Sequence, residues 1–508
     1  MKKIYLLTAL IISAQLCFAG ITKAETSDAE KLAEVLSAAH GAPVKADITD
    51  EKCQIVYPAV EIEEAVLADE QDEKNESQET EVIKTTIDET VADCAKVEDF
   101  DGKTQYKITN SAPNSVIAKF YNLSGLAFVK NLDIKTFNEE VFVVPELGLI
   151  SADKLHVADA SYVEKDDTTG LKSELGNLKD LVSEQTITKE GDKIKYKTEA
   201  KLDSLNIALP IVSVHVGSEK QVAELEYQQP TDRAFNYQDM LQNLEDLLLS
   251  KSHLVAHNIK INVDMVGFGL TFDMDTQNRS EKKNDGLFET IGNIIMDKMV
   301  FTGDMLDKNK QPQSVIMKYS LKGIQTKDIQ ALTQIQKDKL ENNKEPDDAE
   351  LAKILDSMTD SLTMVTNIKI KFAQGEISGK LAARKKSGYL QGGIKVQVSN
   401  LFAIFPEFQK CRNNPNAAQM KECAMMPIYE GMGDFIDITK DNSETVIKFN
   451  EHGVFKDGKK IGEPIELNFR KMQQEHAIKQ KENEEKIKQL MQEQQALTED
   501  DLLMEDDI

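Results

Sequence analysis

The chain contains no tryptophan, and arginine supplies only five of its 61 basic residues. Exposed Trp and Tyr rings are the usual platforms for sugars, and clustered Arg side chains bind phosphate or carboxylate groups through paired hydrogen bonds. The composition therefore disfavours a carbohydrate-binding surface, and it shows no arginine cluster for phosphate. The five arginines are scattered along the chain at Arg233, Arg279, Arg384, Arg412 and Arg470.

Long apolar runs are also lacking after the first 24 residues. A helix that crosses a bilayer needs about 20 predominantly apolar residues. The longest later run, Val141 to Ile150, is interrupted by Pro145 and Glu146. We therefore expect the mature chain to contain no transmembrane helix.

The first residues have the pattern of a secretory signal. Met1 to Lys3 carry positive charge and precede an apolar run, Ile4 to Ala19, that is short for a permanent membrane span. Small residues allow cleavage after Ala19 or after Ala24. We expect residues 1–24 to be removed and the protein to be periplasmic; the alternative is a secreted protein or one peripherally associated with the cell envelope. Acylation of Cys17 is disfavoured because two large residues precede it.

Acidic residues outnumber basic ones, and the formal net charge is −26. Proteins that bind nucleic acid irrespective of its sequence neutralise phosphates with Lys and Arg. Adhesion to anionic lipid depends on the same positive charge. The charge balance therefore argues against nucleic acid as a partner and opposes adhesion of the whole protein to anionic lipid.

Four cysteines remain after removal of the signal: Cys53, Cys94, Cys411 and Cys423. An even number in an exported chain indicates disulfides. Of the three possible pairings, sequence separation favours Cys53 with Cys94 and Cys411 with Cys423. Free buried thiols and a metal site are the alternatives, although no close C-x-x-C pair is present. No catalytic residue, cofactor or metal ligand is predicted.

The mature chain is too long for one ordinary core, which indicates several modules. The predicted divisions are an N-terminal helix and acidic-loop region (25–110), a first β-rich module (111–255), a second helix and strand module (256–362), a third helix and strand module (363–466), and a Lys/Glu-rich helix with an acidic tail (467–508).

Hydrophobic periodicity predicts an α+β fold in which long, antiparallel, curved β-sheets carry interspersed amphipathic helices. Ser27 and Glu30 form a capping-box pattern at the start of a short helix, which Gly41 ends. Further helices are predicted at Tyr237 to Ser252, Leu287 to Val300 and Asp347 to Ser361. Strands are predicted at Ser183 to Glu190, Lys193 to Pro210 and Val212 to Tyr227, and a closing hairpin with an Asp-Gly turn at Val454 to Gly458.

Three segments have strongly biased composition. Glu61 to Glu81 holds ten acidic residues and one lysine, which predicts a loop or disordered segment. Residues 468–495 are mostly Lys, Glu and Gln without a sustained coiled-coil heptad, which favours a solvated helix over a partner-docking one. Glu499 to Ile508 sets six acids around four apolar residues, a composition seen in tails that dock through their apolar side chains.

A weak internal repeat runs through the chain. The string NIKI occurs at Asn258 to Ile261 and again at Asn367 to Ile370, and a looser copy begins at Asn131. This recurrence predicts a repeated unit of a helix followed by hairpins.

Three patterns approach catalytic or metal motifs without completing them. His253 and His257 have the spacing of a helical zinc site but lack the glutamate of H-E-x-x-H. Ser151 and Lys154 fit S-x-x-K, yet the S-D-N and K-T-G elements are absent. The stretch from Asp273 begins like a calcium loop without its glycine and final glutamate. We interpret these as histidines at a helix end, a loop entering a strand, and a polar hairpin end.

Two stretches carry a family resemblance. Gly388 to Phe405 reads GYLQGGIKVQVSNLFAIF, a strand that ends in Asn-Leu and enters a helix, and Val454 to Ile465 contains the closing hairpin. With these, the region Ser183 to Ile465 resembles the AsmA-like and YdgA-like group of Gram-negative envelope proteins. The resemblance implies elongated, strongly curved sheets with a hydrophobic inner face and a role in outer-membrane assembly or lipid movement. The expected signal cleavage, the acidic loop and the Lys/Glu-rich tail depart from that group, and no functional residue carries over.

The sequence therefore favours a non-enzymatic, exported envelope protein that binds a partner protein or a lipid along a β-sheet groove. The alternative is a secreted interaction factor that acts through its acidic loop and C-terminal tail. A hydrolase whose catalytic residues are gathered only by the fold is a third hypothesis.

The cysteine pairing gives a first test of the compartment. If both disulfides form, the purified exported protein contains no titratable thiol under denaturing conditions and four after reduction, and peptide mapping links Cys411 to Cys423. Detection of four thiols before reduction would contradict the pairing and remove one of the two supports for export.

Overall fold

A computed structural model describes most of the chain. The described residues are 27–40, 43–49, 52–67, 80–87, 89–110, 115–122, 125–166, 172–208, 211–231, 235, 246–283, 286–303, 307–342, 348–412, 435–469 and 471.

Helices are few and short within these ranges. They are α1 (Asp28–His40), α2 (Thr326–Asn342), α3 (Asp348–Ser361), α4 (Leu401–Ile404) and α5 (Glu407–Arg412). The predicted capping box begins α1: the Ser27 backbone N–H donates to the Glu30 carboxylate at 2.8 Å, and the Glu30 N–H donates to the Ser27 hydroxyl at 3.3 Å. Two of the predicted helices, at Ser27 to Gly41 and at Asp347 to Ser361, are confirmed over their described residues.

Strands make up most of the described chain. The N-terminal strands are β1 (Lys45–Ile48), β2 (Cys53–Tyr57), β3 (Val60–Leu67), β4 (Thr80–Ile87), β5 (Thr90–Phe100), β6 (Lys103–Asn110), β7 (Ser115–Asn122) and β8 (Gly125–Val144). The central strands are β9 (Leu149–Asp166), β10 (Lys172–Glu190), β11 (Lys193–Leu202), β12 (Ser204–Ala208), β13 (Val212–Val216), β14 (Ser218–Gln228), β15 (Leu247–Val263), β16 (Phe268–Lys282) and β17 (Leu287–Thr302). The C-terminal strands are β18 (Pro312–Gln325), β19 (Thr363–Phe372), β20 (Glu376–Lys386), β21 (Tyr389–Ser399), β22 (Ser443–Asn450), β23 (Gly453–Lys456) and β24 (Lys459–Gly462).

These strands pair antiparallel into one sheet. From β8 onward each strand pairs with the next, with one exception between β10 and β15. There, β11 and β12 lie end to end as one interrupted strand beside β10, and β13 and β14 form a second one beside β15. At its start the sheet divides, because β8 pairs with β7 over residues 125–133 and with β6 over residues 139–143. The prediction of long antiparallel sheets is confirmed, and the described chain is largely β.

The register separates an apolar face of the sheet from a polar face. Residues directly opposite each other on neighbouring strands point to the same side. One such row joins Val214, Ile261, Leu270 and Phe301, and alternate positions repeat this apolar character along each strand. Helix α1 packs Leu32 and Val35 on this apolar face, and α4 and α5 pack there near Val398.

Two predicted helices are wrong over their described residues. Leu287 to Val300 lies in β17, and Leu247 to Ser252 lies in β15, while Tyr237 to Glu245 lie outside the described residues. The β17 segment is rich in β-branched residues, which favour a strand, and contains Gly292, which disfavours a helix. Its apolar residues fit the period of a strand as well as that of a helix, so periodicity alone could not distinguish the two and the helix prediction was wrong.

The predicted acidic loop is wrong at both of its ends. Glu61–Leu67 belongs to β3 and Thr80–Glu81 to β4, and these strands form a hairpin; residues 68–79 lie outside the described residues. Cys53 and Cys94 form a disulfide with Cα atoms 5.0 Å apart, as predicted. Asp457 and Gly458, with φ of 48° and 88°, form the predicted turn between β23 and β24.

Gly292 provides a test of the sheet register on the apolar face. The Tyr319 ring from the neighbouring strand lies over this glycine, and its hydroxyl donates to the Asn278 side chain. A Cβ at Gly292 would lie 2.2 Å from the Tyr319 ring, whereas a Cβ at Gly379 on β20 would meet no heavy atom within 4 Å. We expect Gly292→Val to lower the free energy of unfolding by about 2 kcal/mol because the ring must move. Urea unfolding of this variant and of the control Gly379→Val measures the effect; equal stabilities would contradict the register.

Candidate functional site

A row of polar side chains crosses the apolar face at right angles to the strands. Direct register partners run from Asp153 on β9 to Gln185 on β10, and the row continues through β11 to β19. Its remaining polar members are Thr198, Ser252, Asn278, Tyr319 and Thr366, with Ala223 and Gly292 between them. We call this the polar row.

Hydrogen bonds join some members of the polar row to each other and to polar side chains beside it. The Gln185 amide donates to the Asp153 carboxylate at 3.2 Å, and the Tyr196 hydroxyl donates to the Gln185 carbonyl at 2.8 Å. Farther along, Ser280 and Thr290 lie 2.8 Å apart beside the Tyr319 to Asn278 hydrogen bond. Such bonds offset part of the cost of placing polar groups on an apolar surface.

Two apolar zones lie on either side of the polar row. The first contains Val144, Leu149, Ile187, Ile194, Tyr227, Phe235, Leu247 and Phe288. It is covered, because Phe235 lies outside the strands and packs edge-on against Tyr227 with ring centroids 6.0 Å apart, and Ile329 of α2 packs there too.

The second zone, which we call the open apolar zone, is built from strand residues alone. Its buried members are Val216, Ala256, Ile259 and Phe272, and its partly buried members are Leu205, Leu254, Ile261, Leu270, Met274, Met296 and Met299. No side chain from a described helix belongs to this cluster. Seven of its eleven members are only partly buried, so they keep a fraction of their apolar surface accessible.

Two carboxyl groups stand at the β8–β9 end of the polar row. Glu139 on β8 lies opposite Asn110, whose amide donates to it. Loss of water and the charge of Asp153 raise the pKa of Glu139 to about 7. Loss of water also raises the pKa of Asp153 to about 6, against the opposing effect of Gln185. One Asp153 oxygen is buried without a hydrogen-bond partner.

The environment of this pair is short of positive charge. Desolvation, followed by the charges of Glu139 and Asp153, raises the pKa of Tyr57 on β2 well above its ordinary value. Glu219 on β14, a third carboxyl on the apolar face, has its pKa raised by burial. At neutral pH a partly protonated pair can both donate and accept hydrogen bonds.

The residues of the incomplete motifs are not brought together. His253 and His257 lie in β15, not at a helix end, and contact different partners: Asp275 at 3.2 Å and Asp273 at 3.5 Å. Four strand residues span about 13 Å, too far for one metal ion. Asp273 lies in the middle of β16, so the stretch that resembles a calcium loop is a strand, and its interpretation as a hairpin end is wrong.

The S-x-x-K residues also separate. Ser151 is buried in β9, where its hydroxyl donates to the Phe142 carbonyl at 3.1 Å, while Lys154 pairs with Glu184 at 3.0 Å. The strand begins before Ser151, so the predicted loop is wrong. Among the described residues, no group of three His, Cys, Asp or Glu side chains is arranged to hold a metal ion. Cys411 is buried at the end of α5, and Cys423 lies outside the described residues, so their pairing stays a prediction.

The chain matches no family model, no curated protein and no solved structure. Within the described ranges, no helix is long and apolar enough to span a bilayer. The resemblance to AsmA-like and YdgA-like proteins accordingly stays a prediction.

The carboxyl pair predicts a pH dependence of stability. Because the folded protein raises both pKa values above their ordinary values of 4.5 and 3.8, the folded state binds more protons, and the free energy of unfolding falls as the pH rises from about 4 to about 7. Glu139→Gln removes much of this loss, so we expect it to raise the free energy of unfolding by about 2 kcal/mol at pH 8 and by little at pH 4.

Urea unfolding at both pH values measures this difference. Glu184→Gln on β10 is the matched control, because that side chain is 45% exposed on the polar face. An equal effect of Glu139→Gln at pH 4 and pH 8 would show that its carboxyl is not held in a desolvated site.

Proposed function

We propose that this protein is a non-enzymatic, exported envelope protein that binds the acyl chains of a lipid along the open apolar zone. The observation that carries the proposal is an apolar cluster on β12, β13, β15, β16 and β17 that, among the described residues, consists of strand side chains. Each methylene group moved from water onto such a surface contributes about 0.8 kcal/mol. An acyl chain of ordinary length is therefore sufficient to give stable binding.

Side-chain chemistry supports a lipid over a sugar or a nucleotide. Met274, Met296 and Met299 contribute flexible, polarisable side chains that adapt to chains of differing shape. The polar row offers hydrogen bonds along one border of the zone, where the ester or headgroup end of a lipid would lie. Binding sites commonly combine a large apolar surface with a few such polar groups.

We also propose that the sheet curves around its ligand. Three strands, β5, β6 and β8, separate β2 from β9 in the order of pairing. A flat sheet would place Tyr57 and Asp153 about 19 Å apart. Tyr57 nevertheless belongs to the buried cluster that holds Val141 and Val143 of β8, with Ile150 of β9 packed against it, which supports curvature toward the apolar face.

The remaining parts of the proposal concern location. The signal pattern at residues 1–24 and the disulfide between Cys53 and Cys94 support action in an oxidising compartment such as the periplasm. Most of the acidic loop and the whole C-terminal tail lie outside the described residues, so the secreted interaction factor stays an alternative prediction.

Paired substitutions on β16 and β17 test the lipid site. Met274 and Met296 are register partners on the apolar face, and Thr271 and Val300 are register partners on the polar face of the same strands. We expect protein purified from its own envelope to carry lipid in native mass spectrometry, and Met274→Lys/Met296→Lys to lose at least nine-tenths of it. The control Thr271→Lys/Val300→Lys adds the same charge and should keep its lipid.

A measurement on the unchanged protein guards against misfolding of the variant. Bound lipid should protect Met274 and Met296 from oxidation by dilute peroxide, and detergent extraction should remove that protection. The absence of co-purifying lipid, or equal oxidation before and after extraction, would overturn the proposal.

A further inference from the structure

Basic side chains cluster on the polar face of β18 to β22, in a protein whose net charge is −26. Six exposed members form no salt bridge with any described residue. They are Lys318, Lys371, Lys380, Arg384, Lys386 and Lys448, and we call them the basic patch. Three acidic residues on the same strands already form salt bridges with other lysines. Glu289 pairs with Lys322 at 2.7 Å, Glu376 with Lys369 at 2.6 Å and Glu444 with Lys395 at 2.9 Å.

The register places these cations on one plane of the sheet. Lys318 and Lys380 are both opposite Asn367, and Lys380 is directly opposite Lys395. Like charges at directly opposite positions destabilise a sheet, and Glu444 pairs only with Lys395 of these two. Five strands give the patch a width of about 19 Å.

Nothing in the described chain covers this face. Helix α3 approaches the same strands from the other side, because Asp356 and Asp360 pair with Lys385 at 3.3 and 2.8 Å. Lys385 alternates with Arg384 and Lys386 along β20, so those two point away from the helix. The patch is therefore open to a large, flat partner.

We propose that the basic patch docks the protein on an anionic phospholipid surface. A layer of phosphate groups offers many contacts to a field of lysines, which bind phosphate as point charges without the paired geometry of arginine. The net charge is a sum over the whole chain. At physiological ionic strength, however, exposed charges more than about 8 Å apart are largely screened from each other. The local patch, not the overall charge, then governs the approach. This inference concerns the polar face and goes beyond the lipid site proposed on the apolar face.

Vesicle sedimentation tests the docking surface. We expect the full chain to sediment with vesicles containing phosphatidylglycerol at 50 mM salt, to release at 500 mM salt, and to ignore vesicles of phosphatidylcholine alone. The triple variant Lys318→Glu/Lys380→Glu/Arg384→Glu should weaken the apparent partition coefficient at least tenfold. The control Lys45→Glu/Lys52→Glu/Lys96→Glu makes the same change in net charge at exposed lysines near the N-terminus and should weaken it less than threefold.

Three results would overturn the proposal. These are no sedimentation of the wild-type protein at low salt, an equal loss in both triple variants, or carbodiimide cross-links from Lys380 to the acidic residues of 499–508 without vesicle binding, which would assign the patch to that segment. The triple variant of the basic patch should keep its co-purified lipid. Loss of vesicle binding with retained lipid therefore separates the docking surface from the lipid site on the apolar face.

Discussion

Main-chain hydrogen bonding between neighbouring strands is the interaction on which the rest of the structure depends. From β8 to β22 each strand has a pairing partner on both sides, and the register of one pair fixes the register of the next. Because the side-chain period is two, that register also decides which residues share a face. One long sheet therefore carries one long apolar face, and short helices cover only parts of it.

Limited helical cover explains both the uneven burial and the polar row. The core under α1 and the zone beneath Phe235 are well buried, whereas the open apolar zone keeps accessible surface. Polar groups tolerate the boundary between the zones because they bond to one another along the row. Glu139 and Asp153, at its end, have no cationic partner among the described residues, and burial raises the pKa of both.

The sequence was sufficient for features that depend on nearby residues. The capping box at Ser27, the Asp-Gly turn at Asp457 and the pairing of Cys53 with Cys94 all follow from local chemistry or loop closure. The helix predicted at Leu287 to Val300 is wrong because the apolar residues there fit both a helix and a strand. Pairing with the neighbouring strands β16 and β18 decides between the two.

The candidate site was missed because it forms across strands that are distant in sequence. Asp153 and Gln185 are register partners 32 residues apart, and the basic patch draws on β18 to β22. One local signal was present: Glu139 and Asp153 occupy the apolar phase of alternating strands, where an acid is out of place. Net charge concealed the patch because it averages over regions that the fold separates.

The most direct test of the account is an experimental structure of the protein purified from its own envelope with its ligand retained. We expect elongated density along the open apolar zone, in contact with Met274, Ile259 and Met296 and with its polar end toward the polar row. A zone filled instead by a segment of the chain itself, with no room for an acyl chain, would contradict the central claim.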